Sequence, residues 1–258
     1  MDEREGRDDD MNSKAVDEHY AKHLGPVYTW MMGGIDAALA RAAAEIDALD
    51  LAGRGIGPGT AVDLGAGFGA HALTLARSGW SVLAIDSCVH LLDELEAQRQ
   101  GLPLRAVKAD LVQFRQLHRA PAQLILCMGD TLTHLCDRGA VEMLLGEVAA
   151  TLAPGGLFAA TFRDYVSSPL RDDARFVPVR SDADRILTCM VEDGPARVTV
   201  HDLLHTRADG DWRLEVGSYP KLKLDPDWVA AKLDALGLEL ERGRTASGMV
   251  RMVARAPG

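Results

Sequence analysis

A glycine-rich segment, residues 62–69 (VDLGAGFG), has the residue types needed to hold a polar or anionic ligand. The surrounding pattern predicts that this segment leaves a buried strand and opens a helix. Free backbone N–H groups and the helix dipole favour negative charge or lone pairs at such a turn. Glycine also permits a tight turn and a close approach of the ligand to the main chain. A glycine turn can also form for packing alone. The acidic residues around this turn therefore decide whether it indicates a ligand site.

Three acidic side chains accompany three consecutive predicted strands. Asp63 lies inside the first strand, Asp86 ends the second about 20 residues beyond Gly65, and Asp110 follows the third. An acid in the position of Asp86 accepts hydrogen bonds from ribose hydroxyls in doubly wound nucleotide sites. We expect Asp110 to reach an adenine amino group beside the same crevice. The set predicts a cofactor that contains a nucleoside.

Two cofactor classes fit this loop. Gly65, Gly67 and Ala70 satisfy the G-x-G-x-x-A pattern of NAD sites. Asp63, however, occupies a strand position where dinucleotide-binding strands prefer an apolar residue, and a carboxylate there can hold the ammonium group of a methionine moiety. The C-terminal pattern also predicts a reversed last strand, which favours S-adenosylmethionine over NAD. These features favour S-adenosylmethionine, with an NAD-dependent oxidoreductase as the alternative.

The elements that position these residues alternate between strand and helix. Strands are predicted at 60–64, 80–85, 104–107, 123–128 and 156–162, with helices at 70–77, 89–99 and 140–152. This alternation indicates a parallel sheet with helices on both faces. Residues 185–192, 196–205 and 212–222 alternate with period two and predict a three-stranded antiparallel insert. A helix at 226–236 and a closing pair of strands at 238–244 and 249–256 follow. We predict an α/β fold with a doubly wound, seven-stranded, mostly parallel sheet and a reversed C-terminal strand.

The chain divides into an acidic tail, residues 1–12, and one domain, residues 13–258. Within the domain, residues 13–52 are predicted to form a helical lid, interrupted at Gly25-Pro26, and residues 163–222 to form a β insert on the substrate side. We expect the lid to cover the site and exclude water. Its covering side chains are predicted to be Tyr20, Tyr28 and Trp30.

The composition of the chain argues against some classes of binding partner. The chain has 258 residues and a formal net charge of −10, which disfavours nucleic acid because phosphate binding depends on clustered Lys and Arg. No apolar run is long enough to span a bilayer, and the acidic N-terminus does not resemble a signal peptide. We expect a cytoplasmic protein with no membrane partner and a small-molecule acceptor; homo-oligomerisation stays open. The four cysteines lack paired spacing, so we expect buried thiols and no metal site.

The chain also resembles a known family. Residues 62–69 are similar to the first signature of class I (Rossmann-like) S-adenosylmethionine-dependent methyltransferases, and Asp86, Asp110 and residues 152–156 (LAPGG) fall where later signatures lie. Residues 128–135 (MGDTLTHL) and 162–165 (FRDY) resemble the glycine and sarcosine N-methyltransferases. Together with the residues above, the resemblance implies a cofactor site formed by Tyr20, Tyr28, Trp30, Asp63, Gly65, Ala66, Gly67, Asp86, Ser87, Asp110, Leu111, Met128, Gly129 and His134.

The same resemblance implies roles around the acceptor. Arg163 would grip a substrate carboxylate and His134 would lie against the cofactor, with Asp130 and Tyr165 completing the predicted catalytic set. Asp130 and Asp164 stand where the family usually has Asn, so glycine is not expected as the substrate. For Asp130, orienting an amine and accepting a proton both stay open.

Four further side chains are predicted to be structural. His201 and His205 are expected on the surface of the insert, and Lys221 and Lys223 as exposed edge charges. The predicted function is methyl transfer to a nitrogen or oxygen nucleophile of a small molecule, with a carboxylate-bearing acceptor as one option. The alternatives are the NAD-dependent oxidoreductase and a non-catalytic regulator that binds S-adenosylmethionine.

Overall fold

The computed structural model describes residues 14–258, so the predicted acidic tail lies outside the described residues. Residues 14–19 are helical and continue through a π-helical turn, Tyr20–Leu24, into α1, Gly25–Met31. The predicted interruption at Gly25-Pro26 is therefore wrong. Pro26 falls in the first turn of α1, where its missing N–H costs no hydrogen bond. Helix α2, Ile35–Asp47, follows after a glycine pair.

The remaining elements follow the predicted alternation. They are β1 Thr60–Leu64, α3 Ala70–Arg77, β2 Ser81–Asp86, α4 Val89–Gln98, β3 Leu104–Lys108, α5 Phe114–Leu117, β4 Ala122–Cys127, α6 Arg138–Thr151, β5 Leu152–Phe162, β6 Phe176–Ser181, β7 Arg185–Asp193, β8 Arg197–Ala208, β9 Asp211–Leu222, α7 Pro226–Ala235, β10 Glu239–Arg244 and β11 Val250–Arg255. Short 3₁₀ turns occupy Leu111–Gln113, Thr131–His134 and Asp172–Arg175.

The main sheet has the order β10-β11-β5-β4-β1-β2-β3. Strands β1 to β5 are mutually parallel, whereas β11 runs antiparallel to both β5 and β10. The predicted seven-stranded, doubly wound sheet with a reversed C-terminal strand is confirmed. The strand order changes direction between β1 and β4, and open α/β sheets bind ligands at the carboxyl ends of strands at such a point.

The core consists of two apolar layers, one on each face of this sheet. One layer combines Val62 and Leu64 of β1 with Phe158 of β5 and residues of α6 and α7. The other combines Ala61 of β1 with Leu73 of α3 and residues of α4 and β4. Because successive β1 side chains point to opposite faces, β1 is buried on both sides and holds the glycine turn rigidly at its end.

A second sheet, with the order β6-β7-β8-β9, is antiparallel throughout. The sequence predicted three of its strands and missed β6, the edge strand. Pro178 lies within β6 and most of this strand is exposed, so it shows neither continuous hydrogen bonding nor clear alternation. The insert is thus four-stranded.

The N-terminal helical segment is fastened to this second sheet. His19 Nε2 lies 2.8 Å from Asp202 Oδ2, and both side chains are buried. The His19 ring also stacks on Tyr219 with a centroid distance of 4.3 Å, and His23 Nε2 lies 3.1 Å from the Asp202 carbonyl oxygen. The first described helix and strands β8 and β9 therefore form one packed unit.

Two smaller expectations concern cysteines and membranes. The four cysteines form no disulfide within residues 14–258, and Cys88 and Cys127 are buried. Within residues 14–258, no helix combines the length and the apolar character needed to cross a membrane.

Candidate active site

A cavity of about 380 Å³ opens at the carboxyl ends of β1 to β4, beneath the N-terminal helical segment. The structure brings most of the predicted cofactor residues to its wall: Tyr20, Tyr28, Gly65, Gly67, Asp86, Ser87, Asp110, Leu111, Met128, Gly129 and His134. These residues come from the lid, the glycine turn and four strand ends. A cavity built in this way is a binding site formed by convergent loops on a rigid sheet.

The glycine turn is held against the end of β2. The N–H groups of Gly65 and Ala66 both donate to the Ile85 carbonyl, at 2.9 and 3.0 Å. Gly65 and Gly67 have φ values of +74° and +55°, and a Cβ on Gly65 would overlap the Thr131 side chain. Glycine is therefore required at residue 65 for backbone conformation and for space. The side chain of Ala66 packs in the core layer rather than at the cavity wall, which corrects its predicted place there.

Asp86 joins the turn to the cavity. Its Oδ2 accepts from the Gly67 N–H at 2.7 Å, and its Oδ1 accepts from the Cys88 N–H at 2.8 Å. Burial raises the pKa of Asp86, against the lowering effect of these backbone donors. Each carboxylate oxygen offers a second lone pair, so Asp86 has the capacity to accept two further hydrogen bonds, as a vicinal diol requires. Asp110 lines the cavity at the next strand end, where its Oδ1 caps the turn by accepting from the Val112 N–H at 3.0 Å.

Aromatic rings close the cavity from the lid side. Tyr20 lies 5.9 Å from Tyr28, 5.5 Å from His134 and 6.0 Å from Tyr219, measured between ring centroids. Burial raises the pKa of Tyr20 well above its usual value, so its phenol stays neutral. Tyr20 and Tyr28 therefore add neutral aromatic rings to the cavity wall, and such rings can attract cations.

His134 presents a neutral imidazole to the cavity. Burial lowers the pKa of His134 to about 3, and the positive charge of Lys221 acts in the same direction. The Nε2 atom is buried, and within residues 14–258 it has no hydrogen-bond partner. A buried polar atom normally finds a partner, so an unpaired nitrogen at a cavity wall indicates a ligand contact.

Residues 61–156 match the family model described as a methyltransferase domain. This segment, which contains the glycine turn, Asp86 and Asp110, is therefore similar to the class I S-adenosylmethionine-dependent methyltransferases. S-adenosylmethionine is the cofactor of this class, and the predicted preference over NAD is confirmed. Asp86 beside the glycine turn fits the cofactor's ribose, and the neutral aromatic wall fits its sulfonium.

Individual relatives are distant. A glycine/sarcosine N-methyltransferase of Aphanothece halophytica is 26% identical over 106 residues, which are 40% of this chain and 40% of that relative. A methyltransferase structure from Clostridium acetobutylicum superposes with a TM-score of 0.72 at 15% identity, over 84% of this chain and 92% of the other. The amino pentose methyltransferase CalS10 of Micromonospora echinaspora gives 0.72 at 17% identity, over 84% and 91%. At these identities the structures show a shared fold.

Two further predicted cofactor residues, Trp30 and Asp63, do not line the cavity. Trp30 donates from Nε1 to Asp182 at 2.6 Å, and Arg185 lies 4.5 Å from its ring centroid. Tyr28 and Trp30 are two residues apart on a helix and point to different sides, so only Tyr28 faces the cavity. Trp30 instead fastens the lid to the insert.

Asp63 is the second correction. Its carboxylate is buried and faces the start of α3 instead of lining the cavity. Burial raises the pKa of Asp63 to about 6, opposed by the charge of His71 and the backbone N–H of Ala72. The predicted contact with a methionine ammonium group is therefore absent from the cavity wall, although Asp63 Oδ2 has no hydrogen-bond partner within the described part of the chain.

Both carboxylate oxygens of Asp130 accept hydrogen bonds from groups of the protein itself. Its Oδ1 accepts from the Arg163 backbone N–H at 2.7 Å, and its Oδ2 accepts from Lys221 Nζ at 2.7 Å. Asp130 itself has a left-handed backbone, with φ +79°, and starts the turn Thr131–His134. Both oxygens of Asp130 are thus hydrogen-bonded within the protein, and its roles toward a substrate amine or proton stay predictions.

The prediction of Lys221 as an exposed edge charge is wrong. Its side chain is 9% exposed, because the end of β9 packs onto the Thr131–His134 turn. The opposing charge of Asp130 outweighs the effect of burial and raises the pKa of Lys221, while Lys221 holds the pKa of Asp130 below its usual value. Lys221 lies two positions after the aromatic Tyr219 and so shares its inward face, a signal that the sequence contained. The Lys223 side chain is also mostly covered, with 16% exposed, so its predicted exposure is wrong as well; it pairs at 2.7 Å with the half-exposed Asp193.

Arg163 and Tyr165 line a second, smaller cavity of about 170 Å³. The Arg163 guanidinium is half-exposed, and its Nε lies 3.9 Å from Asp130 Oδ2. Asp164 accepts from Arg244 Nη2 at 3.0 Å and so is neutralised inside the protein. This cavity offers a cationic group close to the Asp130 network. No cluster of three potential metal ligands occurs within residues 14–258.

Proposed function

We propose that the protein transfers the methyl group of S-adenosylmethionine to an amine nitrogen of a small molecule. The observation that carries this proposal is the unpaired, neutral His134 nitrogen beside the glycine turn and Asp86. The relatives support nitrogen over oxygen, because one is named for glycine and sarcosine N-methylation and another for an amino pentose. Asp86 would accept the ribose hydroxyls and Asp110 would face the adenine.

The cofactor, when bound, supplies an electrophilic methyl group on a positively charged sulfur. The protein's part is then to align the acceptor and exclude water. Tyr20 and Tyr28 would place neutral ring faces beside the positive charge without competing as nucleophiles. A neutral His134 adds no repulsion to the sulfonium.

An amine attacks only in its unprotonated form. With a pKa of about 3, His134 is too weak a base to take a proton from an ammonium group, but its free nitrogen can accept a hydrogen bond from an amine N–H. This bond would turn the nitrogen lone pair toward the methyl group. The methylated nitrogen would carry one proton too many, and because His134 is too weak a base to take it, that proton would be released to solvent.

Arg163 would bind an anionic part of the acceptor. An arginine at the end of a central strand gives planar, two-point recognition of a carboxylate. Its half-exposed side chain in the second cavity leaves the guanidinium accessible. An acceptor that carries both an amine and a carboxylate would therefore meet His134 and Arg163.

The test has two stages. Titration calorimetry with S-adenosylhomocysteine, with NAD in parallel, should show binding of the former only, and Gly67→Arg should abolish it. Mass spectrometry should then detect methylated products from a panel of amino sugars and amino acids, with hydroxyl analogues as controls. Methylation of hydroxyl compounds alone would refute the choice of nitrogen. Cofactor binding with no product would favour the non-catalytic regulator, and binding of NAD alone an oxidoreductase.

A further inference from the structure

The four-stranded sheet has two faces in opposite environments. Its inner face packs on the lid and the cavity through Leu187, Val200, Leu204 and Tyr219. Since side chains alternate along strands, the intervening residues form the opposite face. We define this outer face by the cross-strand rows Ile186–His205–Leu214, Thr188–Leu203–Val216 and Met190–His201–Ser218, with Phe176 and Trp212 at its borders.

The outer face is apolar and open to solvent. Trp212, Leu214 and Val216 are 46%, 52% and 56% exposed, and Phe176 is 50% exposed. Among the described residues, guanidinium groups lie over the two rings, Arg207 at 5.9 Å from Trp212 and Arg175 at 5.8 Å from Phe176, and about half of each of the four side chains stays exposed. An antiparallel sheet with one solvated face normally carries polar residues there. Contiguous apolar patches on a protein surface mark interaction sites.

Strand geometry gives the size of this face. Residues 212 to 218 of β9 span about 20 Å, and four strands cover about 19 Å, so the projected area is about 400 Å². The accessible area of protruding side chains exceeds this projection. Two such faces together reach the low end of specific interfaces, which is below about 1,200 Å² in total. We therefore expect a modest, concentration-dependent association.

The distribution of charge indicates which partner covers the outer face. The chain carries a net charge of −10, so two copies repel one another except where the contact is uncharged. The three rows contain no acidic side chain; at one border Glu192 lies 3.3 Å from His201, and at the other Arg207 lies 5.9 Å from the Trp212 ring. An apolar patch with opposite charges at its two borders can face its own copy about a two-fold axis, as an isologous dimer requires.

We propose that the outer face is a homodimer interface, on which a second copy of this chain packs its own outer face about a two-fold axis. The two sheets would lie about 10 Å apart, the usual spacing of packed sheets. Strand β9 would then form the interface through Leu214 and Val216 and contact the lid through Tyr219, whose ring stacks on His19. This proposal does not rest on the reaction that the site performs.

Sedimentation velocity on the full chain, from about 1 to about 100 µM, tests the proposal in the range expected of a small interface. We expect a species of twice the 27.8 kDa chain mass to grow with concentration. Leu214→Glu with Val216→Glu should raise the dissociation constant more than about 100-fold, because four charges would be buried at the interface. Met143→Glu is the matched control, since Met143 is equally exposed on α6 and should leave the dimer intact.

Circular dichroism and S-adenosylhomocysteine affinity should be unchanged in the double Glu variant, which separates dissociation from unfolding. If that variant does not fold, Leu214→Thr with Val216→Thr removes apolar area while keeping β-branched side chains, and it should weaken the dimer. A wild-type chain that stays monomeric up to about 100 µM would overturn the proposal. So would a dimer that persists in the folded double variant.

Discussion

Substituting Lys221→Met removes the buried ammonium group that faces Asp130. The Asp130 carboxylate would remain buried, with the Arg163 N–H as its close donor at 2.7 Å. Removing one partner of a buried ion pair costs about 3–5 kcal/mol, because the other charge is left uncompensated. For a chain of this length, about 2–4 °C of melting temperature is lost per kcal/mol. We therefore expect the Tm to fall by about 6–20 °C.

A double variant separates the unpaired charge from the loss of packing. Asp130→Asn combined with Lys221→Met leaves no buried charge, so much of the lost stability should return. Lys223→Met is the matched control, because the Lys223 pair with Asp193 is half-exposed and such pairs contribute at most about 1 kcal/mol. Urea denaturation of the four proteins measures these differences. A loss below about 1 kcal/mol in Lys221→Met, or no recovery in the double variant, would refute the reasoning.

The pH dependence of this ion pair has a definite sign. The pKa of Asp130 is lowered by folding, so its contribution is present above its unfolded value and is lost as pH falls through the lower folded pKa. The pKa of Lys221 is raised, so its contribution is present below its unfolded value and is lost as pH rises through the higher folded pKa. Between these limits the stabilisation should be constant. The penalty of Lys221→Met should shrink in acid, where Asp130 becomes protonated.

Four further predictions concern the site. Gly65→Ala should reduce S-adenosylhomocysteine affinity at least about tenfold in calorimetry, because the added Cβ meets Thr131 and the backbone is left-handed. Asp86→Ala should weaken the same binding by about 1.5–3 kcal/mol, the value of hydrogen bonds to a charged group, and normal affinity would contradict its placement. His134→Ala should lower kcat with cofactor affinity kept, and the wild-type pH profile should lack a limb near the ordinary histidine pKa of about 6.5. Arg163→Ala should raise KM for a carboxylate acceptor and not for its amide, as steady-state kinetics would show.

The elements of the main sheet could be predicted because each carries a local signal. The strands are short apolar runs and the helices have clear periodicity. The glycine turn and the acids at strand ends were predictable for the same reason. The edge strand β6 was not, since Pro178 and its exposed side chains remove both the alternation and the apolar content that mark a strand.

The residues that sequence reasoning misplaced are those whose environment depends on long-range packing. Lys221 is charged and follows a proline, which indicates an exposed edge, and only the docking of β9 on the Thr131–His134 turn buries it. Trp30 belongs to an aromatic cluster in sequence, but helix geometry sends it toward Asp182 instead of the cavity. Asp130 was correctly placed near the site, yet its partner lies 91 residues away along the chain.

The contact between His19 and Asp202 has a consequence for the order in which the protein is made. The glycine turn and all the strand ends of the cavity are synthesised before residue 163, yet the lid is held through His19 by Asp202, which emerges only with β8. A growing chain on the ribosome therefore completes the floor of the cavity long before its cover can dock. Tight cofactor retention should begin only when β8 and β9 have been synthesised, although every glycine of the turn is already in place.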